Sequence, residues 1–194
     1  MSERRALQNQ VASHFSQTDD EATPLSVLVA GLDNFRPVND SLSAKLRDSI
    51  LEQFRDAMLS LAGSTYRLRG DIYATLVHGT SAQAALSMAE QIRETVARIA
   101  LTPTGEASVS LGVASYPESV ASASELVYGA QTAMYWAKAI GGNRVSYWGD
   151  LVSADRRCME TRGHGERPVI TPYGDSGAKD LDRLRAYQPA LLVR

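Results

Sequence analysis

The sequence has a single cysteine, almost balanced charge and no long hydrophobic run, and each of these shortages excludes a class of protein. With only Cys158 present, neither an intramolecular disulfide framework nor a multi-cysteine metal site can form. The 20 basic and 22 acidic residues leave a formal net charge of −2, so the composition provides no broad electrostatic attraction to nucleic acid. The longest apolar run, around Val27–Gly31, is far too short to span a bilayer.

The bulk composition indicates one intracellular domain. A chain of 194 residues with 44% hydrophobic content is long enough for a sizeable core and some additional length. Because no signal peptide and no cysteine pair are present, we expect a reducing, cytoplasmic setting without membrane insertion. His14, His78 and His164 are isolated in sequence, so their spacing does not indicate a metal site.

The first half of the chain has the pattern of a buried strand followed by a helix. Residues 25–30 (LSVLVA) form an almost continuous apolar run, which is typical of a central strand buried on both faces. Apolar residues then recur every three to four positions from Leu42 to Leu61 and predict a long helix. Asp40 or Ser41 is the expected N-cap, and Gly63 is the expected stop.

A hairpin, a second helix and another strand are predicted next. The β-prone runs Ser64–Leu68 and Tyr73–His78 are joined by the short Gly-Asp segment Arg69–Ile72, which is a hairpin signal. Residues 85–99 have the apolar spacing of a helix, and Ala107–Ser115 alternates like a strand.

The last predicted elements are a third helix and a strand. Ser122 or Ser124 opens the helix, Gly141-Gly142 ends it after Ile140, and Arg144–Trp148 forms the strand. The order β-α-β-β-α-β-α-β predicts an α/β (α+β) fold with a mostly antiparallel central sheet. Its first six elements make the split βαββαβ arrangement, in which the helices pack against one face of the sheet.

We divide the chain into three parts. Residues 1–22 are an N-terminal helical segment, residues 23–148 form the domain, and residues 149–194 form a tail or linker. The tail is rich in glycine and proline and is predicted to be largely irregular, apart from a short helix-like piece at Leu181–Tyr187. The alternative is a linker whose last segment docks or leads into another domain.

Four stretches of this sequence jointly resemble the GGDEF family; they lie at residues 31–48, 67–73, 110–114 and 130–143. Each falls on the element where the family would place it. Members of that family convert two GTP molecules into cyclic di-GMP with two subunits face to face. The resemblance therefore implies a nucleotide-cyclase-like fold with an extra C-terminal helix and strand, and a homodimer as one expected arrangement.

The resemblance also implies a GTP site. Asn39 and Asp48 match the pair that reads guanine, which suits an amide and a carboxylate because guanine offers both acceptors and N–H donors. The loop amides around Phe35 and Arg36 would meet phosphates, and Lys138 matches the lysine that reaches the triphosphate. The remaining nucleotide-binding candidates lie in the hairpin and are Arg69 and Gly70.

The signature for metal-dependent catalysis is incomplete. Members of the family hold divalent ions with a carboxylate at the end of the first strand and others in the hairpin, because Mg²⁺ prefers such oxygens. Here Gly31 takes the first place, and in the hairpin Asp71 is followed by Ile72. Asp71 is thus the one retained signature acid, with Asp33 as a weaker substitute ligand. We expect Mg²⁺ only where GTP is bound.

Three further positions depart from the family pattern. Arg69 replaces the first hairpin glycine, which would crowd the phosphates or bind them directly with its guanidinium group. Gly142 replaces an arginine of the last motif. Ser60 and Gly63 stand where the family's product-inhibition site has Arg and Asp, so we do not expect feedback binding of cyclic di-GMP there.

Three functions stay open. The favoured one is a degenerate, inactive GGDEF domain that binds GTP, or no nucleotide, and regulates a protein partner or fused signalling domain. The second is an active diguanylate cyclase with an unusual metal site. The third is an interaction scaffold that binds no nucleotide, in which Arg69 and Ile72 would serve an interface.

Overall fold

The structure is a computed structural model that describes residues 2–17, 23–35, 43–99 and 108–153. Helices and strands alternate along most of the chain, and residues 148–153 form a further helical turn. The helices are α1 (Glu3–Gln17), α2 (Ala44–Ala62), α3 (Ala82–Arg98) and α4 (Ala123–Ala139). The strands are β1 (Leu25–Leu32), β2 (Thr65–Arg69), β3 (Ile72–His78), β4 (Val109–Tyr116) and β5 (Val145–Tyr147).

The five strands form one sheet in the order β2-β3-β1-β4-β5. β1 is its middle strand and runs antiparallel to both β3 and β4, while β5 joins the edge parallel to β4. Every residue of β1 is buried, as the apolar run at residues 25–30 predicted. The mixed α/β architecture with a mostly antiparallel sheet is therefore confirmed.

Helices cover both faces of the sheet, which is why β1 has no polar face. Leu28, Ala30 and Leu32 point to the side covered by α2 and α3. Val27 and Val29 point to the opposite side, which α1 and α4 cover. The two helices of the βαββαβ unit thus share one face, as expected, and the flanking helices close the other. α1 contributes to that second core through Leu7 and Val11, both fully buried.

The ends of the helices follow local capping chemistry. Ser43 caps α2, because its Oγ accepts a hydrogen bond from the amide of Leu46 at 3.4 Å. The predicted caps Asp40 and Ser41 lie outside the described residues, and choosing them placed the start of the helix too early. Gly63 ends α2 with φ 76°, and Ser122 caps α4, both as predicted.

The remaining predictions differ in outcome. The hairpin is confirmed, since Arg69 pairs with Ile72 across Gly70, whose φ is 50°. Residues 148–153 are helical, so the tail does not begin as irregular chain; its remainder, including Leu181–Tyr187, lies outside the described residues. The three domain bounds stay predictions. Within the described part of the chain, no helix combines the length and apolarity needed to cross a membrane.

A glycine in β4 sets how closely α4 approaches the sheet. A Cβ atom built on Gly112 would lie 2.1 Å from the carbonyl oxygen of Ala130 and 2.2 Å from the amide nitrogen of Met134. Both atoms belong to the backbone of α4 and cannot turn aside as a side chain would. Any side chain at residue 112 would therefore push the whole helix away from β4.

We predict that Gly112→Ala destabilises the domain by about 3 kcal/mol or more, because the helix must shift and its packing loosens. Urea unfolding followed by circular dichroism measures this loss. Gly70→Ala is the matched control: an added methyl group there meets nothing within 4 Å, so the cost is the strain of a positive φ, about 1 kcal/mol. Equal losses in the two variants would show that α4 is not held at contact distance by Gly112.

Candidate nucleotide and cation site

Three elements meet where the central strand of the sheet ends: the end of β1, the tip of the β2–β3 hairpin and the last turns of α4. Gly31 pairs with Ile72 of β3 on one side and with Ser110 of β4 on the other. This register brings the hairpin tip beside the end of β1. The structure therefore brings together Asp33, Asp71 and Lys138, three residues that the sequence selected from segments far apart.

The ammonium group of Lys138 lies among oxygen atoms of all three segments. Its Nζ donates a hydrogen bond to the carbonyl oxygen of Leu32 at 2.5 Å. The same nitrogen is 3.7 Å from Oδ2 of Asp71 and 4.0 Å from Oδ1 of Asp33. Only 20% of the lysine side chain is exposed. One cation thus links the end of β1 to the hairpin tip, and it does so from α4.

The absence of a side chain at Gly31 makes room for this lysine. A Cβ atom at residue 31 would lie 3.0 Å from Cε and 3.2 Å from Nζ of Lys138, and 3.3 Å from the sulfur of Met134. The lysine therefore crosses the space into which a longer side chain at residue 31 would extend. Restoring an acid there would require the lysine to move.

Asp33 is held in place by hydrogen bonds to both oxygens of its carboxylate. Its Oδ1 accepts a hydrogen bond from Ser110 Oγ at 2.7 Å. Its Oδ2 accepts bonds from Ser108 Oγ at 2.9 Å and from the amide of Asn143 at 2.8 Å. A carboxylate offers about four lone-pair positions, and three are used before Lys138 is counted. The weaker metal prediction at Asp33 stays a prediction, and these bonds leave one lone-pair position for any further partner.

Gly142 is explained by the same carboxylate. Its φ is 73°, and a Cβ atom at this position would lie 3.1 Å from Oδ2 of Asp33. The sequence marked residue 142 as part of the glycine pair that ends the helix and as the position of a lost arginine. In the structure, a glycine here lets the turn after α4 pass close to Asp33, so that the amide of Asn143 can donate to it.

The residues expected to read guanine are placed only in part. Asp48 lies on α2 with a side chain 75% exposed, 3.8 Å from Arg47 Nε. Phe35 packs against the core formed with α2 and α3. Asn39 and Arg36 lie outside the described residues. The base-reading pair therefore stays a prediction, with Asp48 placed on the surface.

The arginine in the hairpin contacts α4. Arg69 donates a hydrogen bond from Nη2 to the hydroxyl oxygen of Tyr135 at 2.7 Å, and Tyr135 stands three residues before Lys138. Gly70 forms the tip itself, where an added Cβ would meet nothing within 4 Å. A guanidinium group and an ammonium group thus lie along the same part of α4, an arrangement suited to an anionic ligand.

Two neighbours of the hairpin tip belong to the core. Ile72 is only 7% exposed and packs among apolar residues on the face of the sheet covered by α1 and α4. The suggestion that Ile72 serves an interface is therefore wrong for the described fold. Burial raises the pKa of Tyr73, so its phenol stays protonated at neutral pH and donates to the carbonyl oxygen of Leu51 at 3.4 Å.

Among the described residues, no three His, Cys, Asp or Glu side chains are grouped to hold a metal ion. Asp71 is the one signature acid, and the ammonium group of Lys138 lies next to it. The sequence analysis missed Ser108 and Ser110, which hold Asp33. The available signal was their alternation at the start of β4, the strand that pairs with β1.

Comparison with known proteins identifies the family. The sequence model described as "Diguanylate cyclase, GGDEF domain" matches residues 1–144. Diguanylate cyclase A of Treponema denticola is 30% identical over 137 residues, which cover 68% of this chain and 37% of that protein. Diguanylate cyclase DosC of Escherichia coli is 30% identical over 152 residues, covering 75% of this chain and 33% of that protein. The chain thus spans about a third of the length of these relatives.

Solved structures agree on the fold. The active GGEEF domain of a diguanylate cyclase from Vibrio cholerae superimposes with a TM-score of 0.69 at 23% identity, covering 76% of this chain and 97% of that one. The GGDEF domain of DgcB from Caulobacter crescentus, crystallised in complex with c-di-GMP, gives a TM-score of 0.68 at 21% identity. That superposition covers 75% of this chain and 90% of the DgcB domain.

We predict that Asp33→Asn lowers the free energy of unfolding by about 2 kcal/mol, because its amide group would face hydroxyl and N–H donors that now bond to a carboxylate. Thermal or urea unfolding at neutral pH measures the change. Asp48→Asn, which alters an exposed carboxylate, is the control and should stay within about 0.5 kcal/mol of the wild type. A neutral Asp33→Asn would contradict the structural role of this carboxylate.

Proposed function

The chain belongs to the GGDEF family, and on that premise we propose that it is a regulatory module of cyclic di-GMP and GTP signalling that does not synthesise cyclic di-GMP. The observation that carries this proposal is the position of the Lys138 ammonium group, between the carbonyl oxygen of Leu32 and the carboxylate of Asp71. A cyclase needs divalent ions held against the triphosphate at its reacting centre, and here a lysine holds the remaining acid.

The loss of catalysis follows from the charge that phosphoryl transfer develops. Divalent ions bridge the phosphate oxygens and neutralise that charge in the transition state. This chain offers Gly31 without a carboxylate, Ile72 in the core and Asp33 bound to three donors. Asp71 alone, already beside an ammonium group, is a poor anchor for two divalent ions.

Binding of GTP is supported by the groups that remain. Lys138 and Arg69 place positive charge along the end of α4, and the Asn39–Asp48 pair has the chemistry to select guanine. Mg²⁺ would enter only with the phosphates of the nucleotide. Binding without turnover would allow the module to report GTP to a partner.

Regulation of a protein partner or fused domain is the expected use of such a module. The relatives are about three times as long as the matched segment, which leaves room in them for other domains. One solved relative from Caulobacter crescentus joins a coiled coil to its GGDEF domain. We infer that this chain acts on a protein partner or on an attached signalling domain, as a homodimer or with that partner.

Feedback by cyclic di-GMP is not expected at the site upstream of the hairpin. Ser60 bonds to the carbonyl oxygen of Ala57 within α2, and Gly63 is the residue that ends this helix. Neither position carries the charge that would hold a cyclic dinucleotide. Regulation by this module would therefore depend on GTP or on protein contact.

Calorimetric titration with GTP, with ATP as the specificity control, tests the proposal. We expect saturable binding of GTP that exceeds that of ATP and weakens about tenfold in Asn39→Ala, the equivalent of roughly 1.4 kcal/mol. Gln83→Ala, which removes an exposed amide from α3, should bind as the wild type does. Incubation with GTP and either Mg²⁺ or Mn²⁺ should yield no cyclic di-GMP.

Each other outcome contradicts a defined part of the proposal. Cyclic di-GMP formed by the purified chain would establish an active cyclase and overturn the regulatory assignment. Absence of heat with either nucleotide would remove GTP binding and leave the interaction scaffold. Equal losses in Asn39→Ala and Gln83→Ala would show that Asn39 does not read the base.

A further inference from the structure

We propose that Lys138 is a built-in cation: its ammonium group takes the place that a divalent ion would need among the oxygen atoms at the end of β1. Leu32 supplies a carbonyl oxygen, and Asp71 and Asp33 supply carboxylate oxygens. These are the hard oxygen ligands that Mg²⁺ and Mn²⁺ prefer. The described residues thus form a cation site, and the cation that fills it is covalently attached to α4.

The charges favour this occupant over a free ion. Two carboxylates and one ammonium group leave the cluster with one net negative charge, and much of the Asp33 charge is already shared among three hydrogen-bond donors. A divalent ion placed on the same oxygens would lie next to the ammonium group and be repelled by it. Binding the ion would therefore require Lys138 to leave a largely buried position.

Gly31, which lies against the end of the Lys138 side chain, leaves the space that the lysine occupies. Gly31 lacks the side chain that would contact Cε and Nζ of Lys138, so the missing acid and the inward lysine are two sides of one arrangement. With glycine in place of an acid at residue 31, β1 lacks one metal ligand. The same glycine leaves open the space in which the ammonium group lies. Since Lys138 is tethered, its cation needs no supply from solution, and it offsets one of the two carboxylate charges without metal.

The inference also assigns Lys138 a positioning role. The lysine joins α4 to the end of β1 and to Asp71 at the hairpin tip. Removing it would take away the counter-charge that both carboxylates now share. The hairpin should then be held less firmly, and the freed oxygens should accept a metal ion from solution. This inference rests on the geometry of the site and holds whether or not GTP binds.

The test uses the whole chain without nucleotide and Mn²⁺ as the probe. Free Mn²⁺ is counted by electron paramagnetic resonance, and thermal unfolding is recorded with Mn²⁺ and with a chelator. We expect the wild type to show no saturable Mn²⁺ binding up to about 1 mM and no change in melting temperature. Lys138→Met should melt roughly 5 °C lower than the wild type and should regain part of that loss as Mn²⁺ is added.

Two control variants separate charge from fold. Lys45→Met, which removes an exposed lysine from α2, should behave as the wild type does. Lys138→Arg keeps a cation at this position and should stay insensitive to Mn²⁺. Its Mn²⁺ binding and melting temperature can be measured even if Lys138→Met does not fold. Saturable Mn²⁺ binding by the wild type, or a Lys138→Met variant that is as stable as the wild type or destabilised without any response to Mn²⁺, would overturn the proposal.

Discussion

One ion cluster connects the three elements of the candidate site. The ammonium group of Lys138 bonds to the carbonyl oxygen of Leu32 and lies close to the carboxylates of Asp71 and Asp33. These contacts join a helix, the central strand and a hairpin that are far apart in sequence. Because the cluster is largely buried, solvent screens it less than it would a surface pair. The cluster contacts the hairpin tip through Asp71 and the turn after α4 through the bond from Asn143 to Asp33.

The fold supplies the geometry that this cluster requires. β1 is buried on both faces, so its last residues lie inside the domain rather than at the surface. Gly112 allows α4 to pack against β4 at backbone distance, and Gly31 leaves space for the lysine that α4 carries. Two glycines with different neighbours therefore serve one purpose, since both bring Lys138 to the end of β1. Gly142 adds a third close approach, on the side of Asp33.

Local patterns predicted most of the fold, and long-range contacts determined the site. The sequence predicted β1 from its apolar run, α2 to α4 from their periodicity and the hairpin from its Gly-Asp segment. Each of these signals depends on residues that are neighbours in sequence. The cap at Ser43 was missed because several serine and aspartate residues precede α2. The bonds from Ser108, Ser110 and Asn143 to Asp33 join residues 75 to 110 positions apart, which no local pattern reveals. The role of Lys138 as a phosphate ligand stays a prediction, and its described partners are protein oxygens.

Lys138 is expected to stay on these oxygens when nucleotide and metal are offered. Crystals grown with a non-hydrolysable GTP analogue and Mn²⁺ would test it directly, because anomalous diffraction locates manganese. We expect Lys138 Nζ to remain bonded to the carbonyl oxygen of Leu32, and any manganese to contact phosphate oxygens without a protein carboxylate. A manganese peak bound to Asp71 and to the carbonyl oxygen of Leu32, with Lys138 displaced, would show that Lys138 is not the cation of this site.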